Sequence, residues 1–433
     1  EVVDETKKFI LDTIGVGLAG AKQPGCREVV DVAKTWSSNP AGSTIVFYNE
    51  KVAPHEAAFA NSVLMHALDF DDTLDRSAMH THVSSLPAAL ALAEVQKETS
   101  GKDLITAVCL GVDITCRIAS AITTPLSWIR TATCGSFGAA AAAAKILHLD
   151  EKAILAALGV VYSQTAGNAQ CLVDGGLVKR MQPGFSARSG VLSAALASRG
   201  VTGAVHIFEG DYGFYNLYER GKVNAEKVTE DLGTHFGVMD LSIKPYPCCR
   251  MTHAAIDAAL ELIDSHEIDP ERIKEVNVSA SKMVSDMVGA PFQIRENPQV
   301  DAQFSIPYTV AVALRNGSVL LSDFIPETIT GSQSILELAR KVNVIVDPAL
   351  SDNDISSVNM SVTSLDGITF THQLDALKGS PSKPLSFDEC AVKFKNCLQY
   401  SGKSALIEKS GHMVDFIFNL DKKDDVREIF DYL

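Results

Sequence analysis

Apolar residues recur three and four positions apart along most of the first 260 residues, the spacing of helices that bury one face. Near the start they fall at Phe9, Ile10, Ile14 and Leu18. The spacing predicts a second helix over 54–68, with Pro54 at the start, where a missing N–H costs little. A third is expected from Ser85 through Val95, with Ser85 as N-cap and Pro87 in the first turn. The small-residue stretches 138–147 and 186–198 predict helices that pack closely in a bundle.

The pattern changes near Ser265. Residues 273–279 alternate apolar and polar, as a strand does. Residues 359–362 and 368–374 flank Leu365-Asp366-Gly367, a hairpin signal with Asp-Gly at the turn. Residues 302–314 predict a helix between these strands, and helical spacing returns from Phe387. The expected fold is mainly α: a large all-helical domain from residues 1–265 together with 390–433, and a smaller α+β domain over 266–389.

A chain of 433 residues fits two cores better than one. With 46% hydrophobic and 21% charged residues it reads as folded rather than disordered. The net charge of −15 sets nucleic acid and anionic membranes aside, and an anionic substrate would need local cations. The uncharged stretch 153–173 contains Ser163, Gln164, Asn168 and Gln170 and makes a poor membrane span. Nine scattered cysteines without a C-x-x-C argue for a reducing, cytoplasmic setting.

The densest polar cluster is His66-Ala-Leu-Asp69-Phe-Asp71-Asp72-Thr73, followed by Met79-His80-Thr81-His82. If the helix continues, Asp69 and Thr73 share a face, with His66 close to it. Three carboxylates in four residues repel and need a helix end, a cation or a substrate to offset the cost. His80 and His82 have the donor type of a metal site, but His-x-His on a loop is more often a hydrogen-bonded pair, and no metal is expected. Gly175-Gly176-Leu-Val-Lys179-Arg180 joins a flexible turn to two cations, which suits an anion. Lys244-Pro-Tyr-Pro247 fixes an ammonium beside two prolines, and Tyr308 follows Pro307. Cys248-Cys249-Arg250-Met-Thr-His253 lacks the spacing of a tetrahedral site and reads as a packed loop before a helix. Glycine fingerprints of nucleotide cofactors and the G-x-S-x-G elbow are absent, so no cofactor is expected. Asp, Thr, His, Lys and Tyr suit proton transfer next to a carboxylate.

These strings are joined in order by Leu86-Pro-Ala-Ala-Leu-Ala-Leu-Ala-Glu94, Thr131-Ala-Thr-Cys-Gly-Ser-Phe-Gly138, Lys179-Arg-Met-Gln-Pro-Gly184 and Phe304-Ser-Ile-Pro-Tyr308. Together they resemble the MmgE/PrpD family over nearly the whole chain. The resemblance implies a helical domain with an α+β lid, a homodimer, and a cofactor-independent site between the domains. It implies catalytic roles for Asp69, Thr73, His80, Lys179, Lys244 and Tyr308; Arg130, His82, Arg180 and Gln182 are further candidates for holding the substrate. Two positions depart from the family's pattern: Ile129-Arg130 stands where a His-Pro pair is common, and Gln182 where a histidine is.

The leading expectation is a hydro-lyase of the 2-methylcitrate dehydratase kind, acting on a small di- or tricarboxylate. Lys179, Lys244 and Arg130 would hold carboxylates. His80 would move the proton with Asp69 orienting it, Thr73 would bond the substrate, and Tyr308 would close over as an acid. The alternative is an isomerase of the iminodisuccinate epimerase type, which needs no acid for a leaving group. A third reading is a non-catalytic carboxylate-binding relative.

Overall fold

In the computed structural model, which describes residues 1–125 and 127–433, the apolar stripe around Phe9 becomes the helix Val2–Gly20. It belongs to a first unit formed by Glu1–Ile243 and Ser386–Leu433. Helices Pro54–His66, His82–Val95, Gly101–Ser120, Arg130–Ile146 and Gln182–Ala197 build its core. The alanine run Ala139–Ala144 is wholly buried. It lets helix Gln182–Ala197 pack so closely that a Cβ on Gly190 would fall 2.6 Å from Ala139.

The third helix starts three residues earlier than the sequence indicated. Ser85 is therefore inside it rather than its cap, and so is Pro87. Proline cannot donate to the carbonyl four residues back. That carbonyl, on Val83, instead accepts the hydroxyl of Ser62 at 2.5 Å. A two-stranded antiparallel sheet, Ser38–Ile45 with Glu50–Val52, also lies in this unit, where only helix was expected. Buried Asn61 ties it to helix Pro54–His66, accepting from the N–H of Val46 and donating to the carbonyl of Thr44.

The second unit is Lys244–Leu385, so the boundary falls about twenty residues before the expected one. Helix His253–Ser265 packs on strands Val358–Ser364 and Thr369–Leu374. Its buried face of Ala254, Ala255, Ala258, Ala259 and Leu262 belongs to the core built on the sheet. That sheet has four strands in the order Val342–Val346, Ile273–Ala280, Val358–Ser364, Thr369–Leu374. The first pair is parallel and the other two are antiparallel. The hairpin turns at Gly367, whose φ of +86° suits glycine. The expected single helix over 302–314 is two, Pro298–Gln303 and Ile306–Asn316; Ser305 caps the second by accepting from the N–H of Tyr308. The chain is thus mainly α, with a smaller α+β unit. No helix among the described residues is long and apolar enough to cross a membrane.

Candidate active site

Helix Pro54–His66 ends three residues before Asp69, the first of the three aspartates. Asp69 and Thr73 therefore do not share a helical face. The chain turns sharply instead, with Asp69 in the left-handed region at φ +52°. Such a conformation costs about 1 kcal/mol or more and is held by its surroundings. Here those surroundings are a ring of charged and titratable groups in the first unit.

Lys179 Nζ lies 2.9 Å from both His66 Nε2 and Asp69 Oδ1. An ammonium only donates, so His66 Nε2 must accept, and the ring proton sits on Nδ1. His66 Nδ1 then donates to Asp71 Oδ2 at 2.9 Å. The same oxygen is 3.0 Å from His80 Nδ1, which also meets the backbone carbonyl of Asp72 at 2.7 Å. Two acceptors on that side make His80 Nδ1 a donor and turn Nε2 outward, where Asp69 Oδ1 lies 3.5 Å away. The circuit closes: His80, Asp69, Lys179, His66, Asp71 and back to His80. The two imidazoles meet edge to face with centroids 4.7 Å apart.

The ring has a wet edge and a dry edge. The side chains of Asp69, Lys179 and His80 are 38%, 28% and 13% exposed, whereas those of His66 and Asp71 are 1% and 0%. Burial, reinforced by the Lys179 charge, pushes His66 down to about 4, so it stays neutral. Asp71 is held well below the usual carboxylate range: its burial works the other way, but the two imidazoles outweigh it. His66, Asp69, Asp71 and His80 have the spacing of a cation site. The Lys179 ammonium supplies a positive charge to that group.

Asp72 fixes the loop that carries His80. Its carboxylate accepts from the N–H and hydroxyl of Thr81 and from the N–H of His82, capping helix His82–Val95. Thr131 accepts from the N–H of His80 at 3.1 Å.

Among the expected site residues, Asp69, His80 and Lys179 come together. The other expected residues make the following contacts within their own units. Thr73 donates its hydroxyl to Asp75 and pairs its backbone with Ser242. His82 is wholly buried, its ring stacked on Phe9 at 4.9 Å, with Nδ1 toward Thr81 and Asp72. Arg130 is 8% exposed and donates to the carbonyl of Thr124, and Arg180 donates to that of Pro24. Gln182 clamps Asn168 through both its amide atoms. In the second unit, buried Lys244 opens the segment to Cys248, and Tyr308 is a core residue. The Tyr308 hydroxyl donates to the carbonyl of Asp323 at 2.6 Å and the ring packs beside Phe292 and Phe324. The string from Cys248 to His253 is a packed segment with a 3-10 turn at Arg250–Thr252 that runs into helix His253–Ser265, with the thiol of Cys248 against the hydroxyl of Thr252. The residues missed were His66 and Asp71. Both stood in the acidic string, but their roles depend on how the loop folds back.

Two family models match the chain: MmgE/PrpD N-terminal domain over residues 1–226 and MmgE/PrpD C-terminal domain over 246–413. Cis-aconitate decarboxylase of Aspergillus terreus is 27% identical over 456 residues, covering 100% of this chain and 92% of its own length. The cis-aconitate decarboxylase of Mus musculus is 28% identical over 413 residues, covering 91% and 82%. The 2-methylcitrate dehydratase of Cupriavidus necator is 22% identical over 366 residues, covering 80% and 74%.

Proposed function

Because the chain belongs to the MmgE/PrpD family, we propose that it is a lyase acting on a small di- or tricarboxylate, with decarboxylation as its reaction. The observation that carries this reading is the ring itself, an ammonium and an imidazole presented together at its exposed edge. His80 turns its Nε2 to this edge beside Lys179, so an imidazole and an ammonium would meet an incoming polycarboxylate together.

In a decarboxylation the bond from carbon to one carboxylate breaks, and its electron pair moves into the carbon skeleton. CO2 leaves, and a proton from His80 or Lys179 forms the new C–H bond. Only an acid is required. Dehydration needs a base for the carbon proton and an acid for the departing hydroxyl. The relatives at 27% and 28% identity carry decarboxylase names, which supports the one-acid reaction; the dehydratase at 22% supports the second reading.

The test is incubation with cis-aconitate and with 2-methylcitrate in deuterated water, following CO2 and product deuteration by NMR. CO2 release from cis-aconitate with one deuterium per product is expected, and His80→Ala should abolish it. Alkene formation from 2-methylcitrate without CO2 would replace decarboxylation by dehydration. Undiminished turnover in His80→Ala would overturn the role of the ring.

A further inference from the structure

Helix Phe387–Ser401 lies against helix Val2–Gly20 in the first unit. Gly15 permits the close approach: a Cβ there would fall 2.7 Å from the ring of Phe394. Beside this contact the seam buries a charge pair. Lys393 Nζ lies 2.6 Å from Asp12 Oδ1, and the two side chains are 6% and 0% exposed. A buried pair gives little stability over apolar residues of the same size, so its presence points to another role.

The ammonium is aimed at the acidic loop. Lys393 Nζ donates to the carbonyl oxygen of Phe70 at 2.9 Å and stands 3.7 Å from the centre of the Phe70 ring. Phe70 sits between Asp69 and Asp71, the two carboxylates of the ring. Asp72, two residues on, holds the same loop from its other end by capping helix His82–Val95. One cation therefore grips the backbone at the centre of the strained turn, and Asp12 neutralises that cation inside the core.

We propose that Lys393, with Asp12 as its counter-ion, is a positioning residue: it fixes Phe70 and thereby sets where Asp69 and Asp71 meet the two imidazoles and Lys179. The proposal rests on the reading of the ring as the active site. It places a determinant of turnover some 320 residues away in sequence, in a helix that reaches the ring through Phe70.

The test compares the full chain with Lys393→Met and with the double variant Asp12→Val/Lys393→Met, using melting temperature, kcat and KM on the carboxylate turned over. Lys393→Met leaves the buried Asp12 carboxyl without its partner. It should lower the melting temperature and reduce kcat by about 100-fold, the cost of a misplaced group, with KM changed by less than about threefold. The double variant removes both charges and should regain the melting temperature while kcat stays low. A purely structural pair predicts that kcat returns with stability, and that result would overturn the proposal. If Lys393→Met does not fold, the double variant decides alone. His80→Ala, measured in parallel, separates the two readings. If it is inactive and the double variant is fully active, positioning fails and the ring stands; if it is active, the ring itself fails.

Discussion

Replacing His66 by glutamine should remove one specific part of the acid sensitivity of the fold. His66 is buried, and its imidazole is pushed from its ordinary 6.5 to about 4, first by burial and then by the Lys179 charge. The unfolded chain therefore binds this proton more readily than the folded one. For a depressed value the stability contribution is complete above 6.5 and is lost as the pH falls toward 4. At about 1.4 kcal/mol per tenfold, the interval corresponds to roughly 3 kcal/mol. Asp12 runs the opposite way. Burial raises its carboxyl to about 6, so its contribution is complete below the ordinary 3.8 and is lost as the pH rises through 6. The wild-type curve alone would mix the two, whereas the glutamine variant keeps Asp12 and deletes only the imidazole. Urea unfolding followed by circular dichroism at pH 7, 5.5 and 4.5 gives the stability gap between wild type and variant. The gap should shift against the wild type by roughly 2–3 kcal/mol from pH 7 to 4.5. A gap constant to within about 0.5 kcal/mol, the usual precision of such differences, would refute a neutral, buried His66 held between Asp71 and Lys179.

Asp71→Asn removes the negative charge that both imidazole N–H groups face; kcat should fall about 100- to 10,000-fold with the circular dichroism spectrum unchanged, as steady-state kinetics would show. Lys179→Met removes a charge that holds His66 low, so an NMR titration should find the His66 imidazole moving up from about 4, while kcat/KM drops by about 100-fold. Gly190→Ala drives a Cβ to 2.6 Å from Ala139 and should cost about 1–3 kcal/mol in a denaturant titration.

The helices of the first unit and the hairpin at Gly367 were legible because a buried face imposes its period on the sequence. The unit boundary was not. Helix His253–Ser265 has the same alanine-rich spacing whichever core it joins, and only the sheet beneath it decides. The strand Ser38–Ile45 escaped because Ser, Asn, Pro, Ala and Gly, which fill most of it, are poor strand formers, and Asn61 and Glu94 hold it at Thr44 from outside. In the site, Asp69, His80 and Lys179 were legible by type and clustering. Asp71 was not distinguished from its neighbours, since its direction follows from the turn at Asp69, which no spacing rule describes. Thr73, His82 and Tyr308 carry the right chemistry for a site. Their protons or rings are committed to Asp75, Phe9 and the carbonyl of Asp323.

The departure at Ile129 suggested that a second imidazole was lacking. His66 supplies one, but on the dry edge, where its Nε2 faces Lys179 rather than solvent. It acts on chemistry only through the ammonium. The outward groups are then His80 and Lys179, and both stand against the same oxygen, Asp69 Oδ1, at 3.5 and 2.9 Å. An epimerase of the expected alternative kind needs two groups on opposite faces of one carbon. Both groups of this ring lie on one carboxylate oxygen, so a lyase that uses either as its acid should deliver the proton to one face. Deuterium should accordingly enter the decarboxylation product at a single prochiral position. Equal labelling of both positions, measured by NMR under single-turnover conditions, would show that the proton does not come from this ring.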